Sequence, residues 1–320
     1  MTTQIDHILD RRGLRRKLTF WRVMAILALG VALVAAFSAA GVFSNLAPKT
    51  DHIARVPISG VISEDRKLLK LLKTIKDDKT VKGVVLAIDS PGGTTVGGEA
   101  IFNAVREIAE DKPVAASVGT LAASAGYMIA TASDHIVARR SSIVGSIGVI
   151  IQYPQASGLL DKIGVQMKEV KSSPLKAEPS PFHDTSPEAV AMLQRLIDDS
   201  YNWFVDLVTD RRPLTRSEVL RLADGSVYSG GRSKDLKLID AIGDEQTAKS
   251  WLVDEKGLSK DLKFVEWKVR EERGGLLFSN ALMRWFTGEP LDLKSIDPDD
   301  LPAFVPRRLF LDGLLSIWHG

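Results

Sequence analysis

Ser124 stands among Ala122, Ala123, Ala125 and Gly126 in the run GTLAASAGYMIAT, residues 119–131, and a second glycine-flanked serine follows at Gly145-Ser146-Ile147-Gly148. A hydroxyl among side chains this small can be approached closely by the backbone of a substrate. The apolar run Val114 to Val118 predicts a strand that delivers Ser124 to the start of a helix carrying Tyr127 to Ala130. At a helix N-terminus, backbone N–H groups and the helix dipole favour an anion. That is an arrangement suited to acyl transfer. Taken by itself, the stretch suits a buried, small-residue helix packed on a sheet better still, and what tips the balance lies elsewhere in the chain.

A serine nucleophile needs a base. The chain has five histidines, His7, His52, His135, His183 and His319. His7 lies in a basic N-terminal segment and His319 in the tail; His52 and His135 fall on strand-like runs, and His183 in a polar loop. A Ser-His-Asp triad is possible but not signalled. Lysine is the other known base for serine. An unperturbed lysine, with pKa ~10.4, is neutral only about once in 2,500 at pH 7, so it must be lowered by roughly 2–3 units through burial or a cationic neighbour. Lys176 sits in a loop whose Ser173, Pro174 and Leu175 offer small and apolar surroundings, although spacing alone does not single it out. An oxyanion hole needs two backbone N–H groups aimed at one point. Gly92-Gly93, ending a buried strand, can present one because no Cβ obstructs the approach. The amide of Ala125 can present the other.

The elements that must hold these groups read as alternating strands and helices. His52 to Ile62 is strand-like, Leu68, Leu69, Leu71, Leu72 and Ile75 form a helical stripe, and Val84 to Ile88 is a continuous apolar strand ended by Asp89-Ser90-Pro91-Gly92-Gly93. Gly97 to Ala109 is helical, Ile136 to Ala138 and Gln166 to Val170 are strands, and Ser186-Pro187-Glu188 opens a long helix stopped by Pro213. Repeated β-then-α predicts an α/β fold with a mostly parallel sheet and a site at the carboxyl ends of its strands.

Composition excludes several classes. The 320 residues are 45% apolar and 26% charged with a net charge of +2, and no basic stripe interleaved with aromatics speaks for nucleic acid. There is no cysteine, hence no disulfide, thiol nucleophile or Cys-ligated zinc. Residues 1–22 are basic, and Val23 to Phe43 is almost wholly apolar, long enough to span a ~30 Å hydrocarbon core as a transmembrane helix. Basic residues on the amino side predict an uncleaved signal anchor with the N-terminus in the cytoplasm and everything beyond Pro48 exported. A cleaved signal peptide ending near Ser38-Ala39-Ala40 is the rival, but its apolar region would be only about 7–15 residues. The expected organisation is 1–22 cytoplasmic, 23–43 transmembrane, 50–258 catalytic, and 259–320 a C-terminal extension with a Pro- and Asp-rich linker and an amphipathic tail from Arg308 to His319.

Taken together, the exported part resembles the signal peptide peptidase A, or protease IV, family of membrane-bound serine peptidases with a crotonase-like (ClpP-like) fold of repeated β-β-α units. The likeness runs from about Ile53 to Leu252. It is carried by Ser90 to Gly93 (SPGG), Ala122 to Ala130, Gly145 to Ile150 (GSIGVI), Lys171 to Lys176, Ser180-Pro181-Phe182 and Asp224 to Gly230. The resemblance implies Ser124 as nucleophile, Lys176 as general base, Ser146 as the hydroxyl that holds the lysine amine, and Gly93 and Ala125 as oxyanion donors. Ala125, Ser173 and Val144 depart from the family pattern, which has glycine, glycine and threonine there. No cofactor or metal is implied. The implied partners are peptide substrates such as signal-peptide remnants, the lipid bilayer of the bacterial cytoplasmic membrane, and further copies of the chain in a homo-oligomer whose sites are shared between protomers. A silent membrane scaffold and a crotonase-type acyl-CoA enzyme are the rival readings.

Overall fold

The computed structural model describes residues 20–30, 50–269 and 315–317. The chain divides into two compact units, Met1–Thr50 and Asp51–Gly320. In the first, residues 20–30 are helical (α1), with Trp21, Ile26 and Leu29 exposed. No helix of the described residues is long and apolar enough to cross a membrane, and most of the predicted 23–43 span lies outside them.

The second unit is built on a sheet to which nine strands contribute among the described residues. Its leading strands alternate with helices: β1 (His52–Ile62), α2 (Arg66–Asp77), β2 (Val81–Thr94), α3 (Thr95–Ala109), β3 (Val114–Ala123), α4 (Ala125–Thr131), β4 (His135–Ala138) and β5 (Ile143–Gly145). Then come α5 (Ser157–Lys162), α6 (Pro187–Arg211), α7 (Arg216–Leu222), β6 (Val227–Ser229), α8 (Gly230–Asp235), β7 (Ala241–Ile242), α9 (Glu245–Asp254), β8 (Lys263–Glu266) and β9 (Leu315–Ile317). The order is β6-β5-β3-β2-β1-β8, with β4 bridging β3 to β7 and β9 added to β2. All pairs are parallel except β5 with β6 and β2 with β9. The predicted mostly parallel α/β sheet is thus observed.

Parallel central strands are apolar on both faces because both are covered. Successive residues of β1, β2 and β3 alternate between two cores. Ala54, Val56, Val84, Leu86 and Ala116 face one, with Leu72, Ile101, Met128 and Phe204 from the helices. Ile53, Val85 and Ala115 face the other, closed by Ala248 and Leu252 of α9.

Three sequence expectations change. Ser90-Pro91-Gly92-Gly93 does not end β2, which runs on to Thr94. Ser59 pairs with Asp89 and Val61 with Gly92, so β2 carries one extra residue there. Pro91 sits in that bulge, where a missing N–H costs no ladder bond. Residues 166–170 are not a strand, for Val165, Met167 and Val170 are all exposed and no strand among the described residues takes them. The sheet also passes the expected boundary at 258, since β8 extends β1 and β9 lies antiparallel on Gly92–Thr94.

Candidate active site

β3 ends at Ala123 and α4 begins at Ala125, so Ser124 alone makes the turn between them, with φ 57 and ψ −120. That region is disfavoured for any residue with a Cβ and costs about 1–3 kcal/mol, so it persists only where the surroundings impose it. They do so here. Ala123 pairs with Gly145 in the sheet, Ser124 N–H donates to Gly145 O at 2.8 Å, and Met128 N–H donates to Ser124 O at 2.9 Å. A strained strand-to-helix turn of this kind holds a serine hydroxyl at the carboxyl end of a sheet.

Ser146 follows the residue whose carbonyl holds the Ser124 amide. It too has positive φ, 53, and its N–H donates to Ser226 O at 2.7 Å. Both serines are buried. β3–β5 pairing therefore brings together two residues 22 positions apart in sequence (124 to 146) that the sequence could only name separately.

Small residues around Ser124 turn out to serve packing first. Every residue of α4 is buried. A Cβ on Gly126 would stand 2.8 Å from Ser90 O, and one on Gly98 would stand 2.9 Å from Met128 Sδ and 3.1 Å from Ala125 Cβ. The absence of side chains at Gly126 and Gly98 lets α4 lie directly on β2 and α3. Ser90 pairs with Ala122, which places Gly92 and Gly93 beside the residues leading into Ser124. Ser90 Oγ donates to Gly60 O at 2.7 Å and accepts from Gly92 N–H at 3.1 Å, bracing the bulge that presents the glycines; its type alone did not predict that role. Ala125, as the first residue of α4, has an N–H without an intrahelical partner. It is not among the residues of positive φ, so alanine in place of the family's glycine costs no strain.

The far end of α4 is held by arginines that sequence periodicity did not mark. Arg211 Nε and Nη2 donate to Thr131 O and Ser133 O, both at 3.0 Å, and Arg106 Nη1 donates to Ala132 O at 2.8 Å. Carbonyls left open at a helix C-terminus are thereby satisfied by cations.

Lys176 lies elsewhere in character. It sits in the 171–179 loop with an exposed side chain, and its backbone N–H donates to Ser173 O at 3.1 Å. Ser173, Pro174 and Leu175 are exposed as well, so the expectation that they bury the lysine is not met within one chain. The physical reason is that, among the described residues, 172–177 all lie at the surface and only the flanking Lys171 and Glu178 are partly covered.

The described histidines are engaged in other ways. His52 accepts from Trp267 Nε1 at 3.0 Å and stacks on that ring, while His135 stacks on Trp251 at 4.7 Å with burial lowering its pKa against the charge of Asp240. His183 Nε2 lies 3.3 Å from Glu178. His7 and His319 lie outside the described residues.

Gly93 carries a direct steric prediction. A Cβ there would stand 1.9 Å from Ile62 O, a backbone atom that cannot swing away. Gly93→Ala is expected to separate β1 from β2 and lower stability by about 1–3 kcal/mol or more. A denaturation midpoint unchanged from the parent protein would refute this close approach.

The fold and the serine turn define a class, an α/β hydrolytic enzyme with its site at the carboxyl ends of parallel strands, and comparison with known proteins makes it specific. Residues 106–259 match the family described as Peptidase family S49. The protein named "Putative protease slr0021" of Synechocystis sp. is 38% identical over 211 residues, covering 65% of this chain and 76% of its own. "Putative signal peptide peptidase SppA" of Enterococcus faecium is 35% identical over 230 residues, 68% of this chain and 67% of its own. "Protease 4" of Salmonella typhi is 39% identical over 237 residues, 72% of this chain but 36% of its own. The chain belongs to peptidase family S49, and it is a peptidase.

Proposed function

We propose that the chain is a serine endopeptidase anchored in the bacterial cytoplasmic membrane, with a Ser124–Lys176 dyad on a crotonase-like sheet. The observation that carries this is the strained turn at Ser124, held against Gly145 and flanked by the buried Ser146. Lys176 Nζ takes the proton from Ser124 Oγ as the oxygen bonds to the scissile carbonyl carbon. Gly93 and Ala125 N–H groups hold the resulting oxyanion, and the same proton passes to the leaving amine as the C–N bond breaks. Water then repeats the cycle on the acyl-enzyme. Ser146 Oγ orients the amine between steps.

Apolar peptides such as signal-peptide remnants are the proposed substrates, cleaved on the exported side of an anchor over residues 23–43. The pairing of Leu315–Ile317 with Gly92–Thr94 supports an extended peptide as ligand, since the chain's own strand already lies antiparallel there. An exposed base calls for cover from outside the protomer. Ile150, Leu159, Ile163, Met167 and Val170 are all exposed on the segment that carries the lysine loop, and Leu196 is exposed on α6. That apolar surface supports a homo-oligomer in which a neighbour completes the site.

A fluorophosphonate probe is expected to label wild-type protein at Ser124 and to leave Ser124→Ala unlabelled; no labelling at all would return the silent scaffold or an acyl-CoA enzyme. A reporter fused after Pro48 is expected to be active only in the exported compartment, and cytoplasmic activity would overturn the anchored topology.

A further inference from the structure

The loop that carries Lys176 is ordered by charge. Residues 172–177 are all exposed. Yet Ala177 holds φ 63, a left-handed conformation that an alanine keeps only when its surroundings enforce it.

The two ends of the loop supply the constraint. Lys171 Nζ lies 2.5 Å from Glu178 Oε1 and 2.6 Å from Glu169 Oε2, so one ammonium closes the six-residue span between Lys171 and Glu178. The Glu178 side chain is only 6% exposed and that of Lys171 20%. Remaining lone pairs of the carboxylates are used: Ser180 N–H donates to Glu178 Oε2 at 3.2 Å, and Ser180 Oγ donates to Glu169 Oε1 at 3.3 Å. Pro181 O then accepts from Ala156 N–H at 2.7 Å, tying the arrangement to the start of α5. His183 Nε2 faces the outer side, 3.3 Å from Glu178 and 3.7 Å from Glu169. Hydrogen bonding to the two carboxylates raises the Lys171 pKa, and hydrogen bonding to Lys171 holds both carboxyls below their ordinary range. The ammonium and both carboxylates therefore stay charged at neutral pH.

We propose that Lys171, clamped between Glu169 and Glu178, is the positioning residue of the catalytic base: it closes the loop so that Lys176 reaches the serine from one fixed direction. Isolated surface ion pairs contribute little. Here one cation is shared by two carboxylates whose other oxygens are also bonded. Serine attack tolerates little misplacement of its base, so loosening this clamp slows proton transfer without removing either partner of the dyad.

The proposal rests on Lys176 being the base, and full-length protein labelled with a fluorophosphonate probe separates the two. Titre counts competent sites, and the labelling rate constant reports activation of Ser124. Lys171→Met and Glu178→Gln are each expected to lower the rate constant about tenfold at unchanged titre, with Lys171→Arg returning to within about threefold of wild type. Lys168→Met, an exposed lysine outside the clamp, is the control and is expected to change nothing. A wild-type rate constant in Lys171→Met, alongside a dead Lys176→Ala, would overturn the clamp and leave the base standing. A titre that falls while the rate constant holds would make the ion pairs purely structural, which also overturns it. Full reactivity of Lys176→Ala would instead remove the base assignment itself.

Discussion

If the proposed dyad holds, Ser124→Ala and Lys176→Ala are each expected to lower peptide cleavage by about 10³-fold or more, because each removes one partner of the proton transfer. His183→Ala is expected to stay within about tenfold of wild type, since that ring faces Glu178 and Glu169. The contrast is decisive in one direction. Loss of cleavage in His183→Ala with an active Lys176→Ala would restore a histidine triad. A second experiment reads where the base comes from. Ser124 is buried at the sheet while Lys176 is exposed, so a site completed by a neighbour predicts complementation between two dead variants. In a randomly mixed oligomer of Ser124→Ala and Lys176→Ala subunits, about a quarter of shared sites receive both native residues. Recovery of activity toward that level is expected on mixing. Co-assembled subunits that remain as inactive as either parent would place each dyad within one chain.

The largest expected effect on stability lies away from the chemistry. Arg212 donates to Asp240 through Nη1 at 2.9 Å and Nη2 at 2.8 Å and to Lys237 O through Nε at 2.9 Å, with its side chain only 5% exposed. Asp240 Oδ2 also accepts from Ile136 N–H at 2.8 Å, so the pair fastens the end of α6 to β4. Asp240→Ala leaves a buried guanidinium without its carboxylate and is expected to cost about 3–5 kcal/mol, read from the denaturant midpoint. Burial alone would raise the Asp240 pKa, but hydrogen bonds and charge from Arg212, with the Ile136 amide, hold it below the ordinary carboxyl value. A folded-state pKa below the unfolded one means the stabilisation is full above the unfolded value, about 3.9, and fades as pH falls through the lower folded value. The gap between wild type and Asp240→Ala is therefore expected to narrow under acid. A loss below about 1 kcal/mol at neutral pH, or a gap that widens in acid, would show that the pair does not fasten the helix in this way.

Much of this was legible in residue order. Alternation of apolar runs with helical stripes specified a parallel α/β sheet because buried parallel strands must be apolar on both faces. Ser186-Pro187-Glu188 marked the start of α6, where Ser186 Oγ accepts from Ala189 N–H, and the order of SPGG, Ser124, GSIGVI and the lysine loop marked the family. Local sequence misplaced what depends on partners. The Gln166–Val170 run has strand composition but pairs with no strand among the described residues, and Ser90 to Gly93 has turn composition yet continues β2, because β1 stays paired with it across a bulge in β2.

The sequence by itself determined which side chains are available for chemistry, in what order, and with no cysteine to compete. Only the tertiary structure decided their surroundings. It put Ser124 into a positive-φ turn by pairing Ala123 with Gly145, which no propensity at Ser124 demands. It showed that alanine at 125 is free of strain, that two arginines hold the end of α4, and that Lys176 stands exposed at the tip of a loop closed by Lys171. Burial, backbone strain and shared ion pairs arise from residues far apart in the chain, so they come into being only when the chain has folded.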